Sequence, residues 1–383
     1  MNAKRILTMT CVLAGAWVGI ARADATEGPD WVEFKIADRY RPGHVSRLMC
    51  VTKTVGAMKL FDPMPEQKFM QTFCQEVAMR VTKVNPDKSV ELELTMPRIR
   101  MEMSLFGVEM SFDSHVPAEQ KSKLPGMDFV AAMFKGMTGL KMTCTIGPDG
   151  MPQKLEGFSE GIKKMLADIG KEESIPPMVQ KMLDQMGDFV HDDMMLEQME
   201  SNCRLTPLNR RLGVGDTWQR EWSQAMGFFN MMMNFKGEYE LLGIEPFRGR
   251  RCAKIRTKES FESAPAADRT KSGTIFDRMD MKMTSSGGNG VAYVDCRTAE
   301  VVKLRQTQRM TIEMTFAADP QAEDPEMQAG FGTMVQKLNN SVSLDLIEEG
   351  DDPWADIVKA AATTAPAAGA ADAAVTPDAA VGQ

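Results

Sequence analysis

The stretch Val302-Lys303-Leu304-Arg305-Gln306-Thr307-Gln308-Arg309-Met310-Thr311-Ile312-Glu313-Met314-Thr315-Phe316 sorts its side chains by parity. Even positions carry Val302, Leu304, Gln306, Gln308, Met310, Ile312, Met314 and Phe316. Odd positions carry Lys303, Arg305, Thr307, Arg309, Thr311, Glu313 and Thr315. A helix would scatter these residues around its axis, whereas a strand places them on two clean faces. At ~3.3 Å per residue such a strand runs ~50 Å, far beyond the usual five or six residues. It therefore belongs to a large, twisted sheet with one dry and one wet face.

The same period recurs on both sides of the chain's middle. Val90, Leu92, Leu94 and Met96 alternate with Glu91, Glu93 and Thr95, and Ile99, Met101, Met103 and Leu105 with Arg100, Glu102 and Ser104. Met279, Met281 and Met283 alternate with Asp280 and Lys282, and Val342, Leu344 and Leu346 with Ser343 and Asp345. Asn85-Pro86-Asp87, Gly147-Pro148-Asp149-Gly150 and Gly287-Gly288-Asn289-Gly290 read as turns between strands. In between, Met127–Met137, Glu160–Ile169 and Pro177–Met199 space their apolar residues three or four apart, as amphipathic helices do. The class is α+β: a large curved antiparallel sheet of long strands, as a half-barrel or a sandwich of two halves, with a central helical insert covering one face. The organisation expected is an N-terminal β half over 31–126, a mainly helical insert with one hairpin over 127–203, and a C-terminal β half over 204–350. Residues 355–383 form an Ala-rich tail too poor in large apolar residues to fold. A short echo relates Arg39-Tyr40-Arg41-Pro42-Gly43-His44 to Arg211-Leu212-Gly213-Val214-Gly215-Asp216, each preceding a strand run.

Lys4 and Arg5 precede an apolar run from Ile6 to Ile20, and Ala21-Arg22-Ala23 supplies the small residues of a cleavage site. Residues 1–23 are thus expected to be a signal peptide, placing the mature chain in the periplasm or outside the cell. That apolar run is short of the ~20 residues a spanning helix needs, and no later segment is longer, so the mature chain is not expected to span a membrane. The formal charge of −8, from 53 acidic and 45 basic residues, argues against nucleic acid as a partner. Tyr is scarce at 3 residues whereas Met reaches 34, so soft side chains rather than aromatic ones supply the bulk of the dry face.

Seven cysteines less Cys11 of the signal leave Cys50, Cys74, Cys144, Cys203, Cys252 and Cys296. An even count in an oxidising compartment favours disulfides, and no C-x-x-C spacing suggests zinc or redox chemistry. In the hairpin Val45–Val84 the turn Asp62-Pro63-Met64-Pro65 lies midway between Cys50 and Cys74. That register would oppose the two cysteines on one face and bridge them. Cys252 with Cys296 is a second candidate pair.

Gly157-Phe158-Ser159-Glu160-Gly161 matches G-x-S-x-G between a strand and a helix. A nucleophile elbow, however, needs a parallel sheet and a downstream histidine base, and only His191 follows. Ser159 reads better as the N-cap of the next helix. With His44, His115 and His191 the only histidines, and no H-E-x-x-H, P-loop, G-x-G-x-x-G or EF-hand loop, neither catalysis nor a cofactor is expected. The thioethers of Met101/Met103, Met279/Met281/Met283 and Met231-Met232-Met233 would suit Cu(I), but as strand residues of the apolar phase they are expected to face a core.

Arg41-Pro42-Gly43, Phe112-Asp113-Ser114, Lys141-to-Gly150, Val214-Gly215-Asp216-Thr217-Trp218, and Tyr293-Val294-Asp295 with Thr298-Ala299-Glu300 together resemble a family of exported bacterial proteins built on a domain of unknown function. These pieces extend over roughly 38–348, and Ala299 stands where the family pattern has Gly. The resemblance implies no catalytic residue. The strand-and-helix pattern is similar to the half-barrels of lipoprotein carriers, which shelter acyl chains. The expected role is therefore non-catalytic binding of an apolar or lipid-like ligand between sheet and helices, with Met101, Met103, Met279, Met281, Met283, Met310 and Met314 on the ligand face. The alternative is a structural or protein-interaction module of the cell envelope with a filled core, engaging an envelope protein as partner.

Overall fold

The computed structural model describes residues 29–34, 40–59, 65–105, 107–116, 127–170, 191–202, 205–207, 210–226, 231–265, 279–316, 332–355 and 357. The expected signal peptide 1–23, residues 60–64 with most of the expected turn Asp62-Pro63-Met64-Pro65, Cys203 and residues 358–383 of the expected Ala-rich tail lie outside these residues.

Twelve strands form one sheet, in which Val302–Phe316 is an extended strand throughout. The first meander runs β2 (Val45–Lys59), β3 (Gln67–Val84), β4 (Val90–Leu105), β6 (Lys141–Ile146) and β7 (Pro152–Glu156), with β5 (Val108–Asp113) folded back onto β4. The second runs β9 (Thr217–Met226), β10 (Met231–Phe247), β11 (Arg250–Pro265), β12 (Met279–Asp295), β13 (Val301–Phe316) and β14 (Gly332–Ile347). Strand β14 is hydrogen-bonded to β2, so the two meanders join into one sheet. At this seam Gly56 is required: a Cβ there would run into the Lys337 carbonyl and the Leu338 side chain. A separate ribbon pairs β1 (Trp31–Glu33) with β8 (Arg211–Gly213), and Arg211 lies over the Trp31 ring at 3.8 Å.

The sheet's two outer strands are β7 and β9, and among the described residues the chain between them holds two helices and the short strand β8. Helices α1 (Met127–Thr138) and α2 (Phe158–Ile169) pack on each other, α1 on β4 and α2 on β6. Helix α3 (Asp192–Asn202) packs against both β7 and β9. The sheet therefore curls until, among the described residues, one helix bridges its two edges. Met133, Phe134 and Met137 of α1, Ile162, Met165 and Leu166 of α2, and Met195 and Met199 of α3 share one core with the inner face of β4 and β6. Of the expected helices, the first two are present; within Pro177–Met199, residues 177–190 lie outside the described set.

The echo noted between Arg39–His44 and Arg211–Asp216 is structural. Gly43 N–H donates to the Val81 carbonyl and Val81 N–H to His44, while Gly215 N–H donates to Leu241 and Leu241 N–H to Asp216. Both glycines have positive φ, +80° and +90°, which is why glycine holds both turns.

Four expectations are corrected. The β2–β3 register sets Cys50 opposite Gln75 and Val51 opposite Cys74, one residue away from the pairing the turn position suggested. The two sulfurs consequently point to opposite faces and no bond joins them. The same offset separates Cys252, which faces Asp295, from Cys296, whose N–H donates to the Arg251 carbonyl. Gly287-Gly288-Asn289-Gly290 is not a turn but the middle of β12, where the register shifts between Ser285 and Gly288 and Gly287 takes φ +98° as a bulge. Ser159 is not an N-cap: the capping position is Gly157 at φ +92°, and Ser159 donates its backbone N–H to Asp192 Oδ1 at 2.7 Å. The first residue of α3 thus serves as the anionic partner at the start of α2.

Two of the sequence pieces lock the end of the sheet where β11, β12 and β13 meet. Glu300, fully buried, accepts from Arg250 at 2.9 Å, and Asp295 lies 3.4 Å from the same guanidinium. Asp295 Oδ1 also accepts the N–H groups of Arg297 and Thr298, closing the loop in which Ala299 takes φ +55°. Gly adopts that left-handed conformation without strain, Ala less readily. On the outer face Asp113 accepts from Arg98 Nε and Nη2 at 3.0 and 2.6 Å, and Ser114 Oγ accepts the Ile99 N–H, so Phe112-Asp113-Ser114 staples β5 to β4.

Residues 347–383 cluster as a separate unit. Within it, Asp352 Oδ1 accepts the N–H groups of Trp354 and Ala355, capping one helical turn.

Candidate functional site: the inner face of the sheet

Register carries the inner face from strand to strand. Met101 of β4 lies opposite Phe73 and Phe112, and Met103 opposite Gln71 and Met110. Met281 lies opposite Met314, Met283 opposite Ile312, Met310 opposite Leu338, and Met314 also opposite Met334. Met279 is placed opposite Phe316 at the start of β12. Six of the seven methionines named from the sequence therefore fall on the inner phase of a single sheet, in two groups separated by β3, β2 and β14, and Met279 is placed by register alone. Met101, Met103, Met283, Met310 and Met314 are buried. Helix α1 lies over the first group: the Phe134 ring is 5.6 Å from both Phe73 and Phe112.

Around the second group the inner face divides into tiers. Nearest the Arg250 lock, Leu241, Ile255 and Ala292 are fully buried in a dense cluster with Trp218 and Tyr239. At the other end, Met231, Met233, Met283, Ile312, Met314 and Met334 form a methionine-rich surface. Aromatic rings stand between: Trp222 stacks on Phe235 at 5.1 Å, and Phe235 meets Phe261 at 5.6 Å.

Running across these strands is a row of polar residues that sequence reasoning missed. Asn340 is opposite Gln308, Gln308 opposite Gly288, Gly288 opposite Glu259, Glu259 opposite Gly237, and Gly237 opposite Arg220. Glu259 is held at both oxygens, Oε1 accepting from the Tyr239 hydroxyl at 3.1 Å and Oε2 from Gln306 Nε2 at 2.9 Å. The glycines on either side make this possible. A Cβ on Gly237 would occupy the Tyr239 hydroxyl's place, and one on Gly288 would come within 3.0 Å of Gln306 Nε2. Burial, reinforced by the Glu259 charge, pushes the Tyr239 phenol far above its usual range, so it is a fixed donor. Two residues before Glu259, Thr257 is 1% exposed and its Oγ1 has no hydrogen-bond partner among the described residues. The signal was present: Thr257 and Glu259 share the parity of Ile255 and Phe261, and Gln306 and Gln308 that of Leu304 and Met310.

Other candidate groups are elsewhere. An open cleft of about 540 Å³ is lined by α1 and α2, with Leu140, Met165 and Ile169 inside and exposed Lys135, Lys141 and Lys164 around it. The glycines of G-x-S-x-G are accounted for by packing: Gly157 approaches the Lys141 carbonyl, and Gly161 the Leu140 side chain. Its strand, β7, pairs antiparallel with β6. Burial pushes the Cys50 and Cys296 thiols up to about 11 and those of Cys74 and Cys252 to about 12, so at neutral pH they are thiols rather than nucleophilic thiolates. Among the described residues no helix is long and apolar enough to cross a membrane.

Compared with known proteins, the chain has three instructive structural matches. Lipovitellin, in a structure describing its lipid–protein interactions, aligns over 81% of this chain and 26% of its own at 8% identity and a TM-score of 0.36, so the chain spans about a quarter of lipovitellin's length. DynF, from the dynemicin biosynthesis pathway of Micromonospora chersina, aligns over 85% of this chain and 94% of its own, with 9% identity and a TM-score of 0.17. A DUF1329 family protein from Desulfovibrio piger aligns over 79% and 87%, with 9% identity and a TM-score of 0.11. No curated protein matches the sequence. The family model of DUF6263, a family of unknown function, matches residues 87–297, from the end of the first hairpin to the Asp295 loop, and the chain belongs to that family.

Proposed function

We propose that this protein is an exported, non-catalytic binding protein of the cell envelope that shelters an apolar or lipid-like ligand against the methionine-lined inner face of its sheet. The observation that carries the reading is the common phase of Met103, Met283, Met310 and Met314 on one face of one sheet, whose edges are bridged by α3. Methionine is unbranched and polarizable, so a surface rich in it moulds to apolar molecules of varied shape where Leu or Ile would fix one geometry. The half-buried rings of Trp222, Phe235 and Phe261 extend the same surface. The thiols are held protonated, and Ser159 serves the α2–α3 junction through its backbone. Export rests on the basic, apolar and small-residue succession of residues 4–23.

Native mass spectrometry of protein purified from its own envelope fraction, before and after organic extraction, tests this. A bound mass of several hundred daltons that extraction removes is the expected result. An apo mass in both samples would favour the structural module with a filled core.

A further inference from the structure

The row through Glu259 is a polar anchor built into an otherwise apolar surface. Glu259 and Arg220 are both half-buried on the inner face, two strands apart with Gly237 of β10 between them, and neither joins an ion pair among the described residues. Carboxylate and guanidinium charges withdrawn from water are costly without opposite charges beside them. Glu259 has only neutral donors, Tyr239 and Gln306, and these fix where its oxygens sit. A second observation is independent of the charges: the Thr257 hydroxyl, 1% exposed on the same face and directly opposite Tyr239, has no partner among the described residues. The Trp222 Nε1, one row further along, likewise has none.

We propose that Glu259, Arg220 and Thr257 bind the head group of a zwitterionic amphiphile, its ammonium at Glu259 and its anionic group at Arg220. This rests on the ligand-binding reading above and adds the class of ligand. The direction of the tail follows from the packing on either side. Towards the Arg250 lock, Leu241, Ile255 and Ala292 are each 0% exposed, more closely packed than the half-buried rings on the other side. In the other direction lie the half-buried rings of Trp222, Phe235 and Phe261, then Met233 and Met283. Those rings also offer their faces to an ammonium group seated at Glu259. An acyl or alkyl chain thus leaves the polar row along the methionine surface.

The test uses the full mature chain and four probes with the same twelve-carbon tail: dodecylphosphoethanolamine, dodecyl phosphate, dodecylamine and dodecanol. Binding is measured by calorimetry below the micellar concentration of each. The zwitterionic probe is expected to bind at least tenfold tighter than dodecanol. Glu259→Gln and, separately, Arg220→Gln should each remove about that factor while leaving dodecanol affinity unchanged. Arg220 is on the outermost strand, β9, so its substitution keeps the test available if Glu259→Gln does not fold. Equal affinity for all four probes, unaltered by either substitution, overturns the head-group assignment and leaves the apolar-ligand reading standing. Failure of every probe, dodecanol included, overturns both.

Discussion

At the scale of single residues, a few buried polar groups set among apolar ones hold the sheet together. The buried trio of Arg250, Glu300 and Asp295 is the costliest of these to disturb, because removing one partner strands a charge of the other sign. Arg250→Met is expected to lower stability by about 3–5 kcal/mol, read from urea unfolding, and adding Glu300→Leu should recover part of the loss. His44 adds a pH dependence at the same end of the molecule. Burial first, then the neighbouring charges of Arg250 and Arg41, hold its imidazole below the ordinary 6.5. The unfolded chain therefore takes up a proton that the folded chain refuses, and stability falls as pH drops below about 6.5. In His44→Gln that part of the slope should vanish, which denaturant midpoints measured between pH 5 and 8 will register.

At the scale of elements, the two-residue period of Val302–Phe316, and of its counterparts at Val90–Leu105 and Val342–Leu346, made the strands and their dry phase legible. Register was not, because it depends on how many residues the turn consumes, and a one-residue difference turned Cys74 to the opposite face from Cys50. Both cysteines should therefore be alkylated after unfolding without reductant, and peptide mapping that finds them bridged would contradict the register. The glycines at 287–290 misled for a related reason: composition cannot distinguish a turn from a strand that must leave space. Here the space is used by Thr257 and Gln306. A Cβ at Gly290 would stand 2.6 Å from both the Arg305 carbonyl and the Thr257 hydroxyl, so Gly290→Ala should cost about 1–3 kcal/mol in unfolding free energy. The polar row itself was visible as Thr, Glu and Gln in the apolar phase, but only register shows that they fall side by side.

At the scale of the whole sheet, chain order and spatial order agree along the two meanders once β5, folded back onto β4, is set aside, and β14 returns to β2. The exception is the gap between β7 and β9, where α3 takes the place of strand pairing. Nothing in the apolar spacing of Asp192–Asn202 distinguishes a helix that covers a sheet from one that bridges its edges, so this feature could not be read in advance. Its consequence is a curved inner wall carrying Met283, Met310 and Met314. The most direct test of that wall's role is methyl-methionine NMR during titration with dodecanol. The methyl signals of Met283, Met310 and Met314 are expected to shift saturably, while Met70, 50% exposed and opposite Val55 on the outer face, stays in place. Shifts confined to Met70, or no saturable shift at the inner three, would contradict the account.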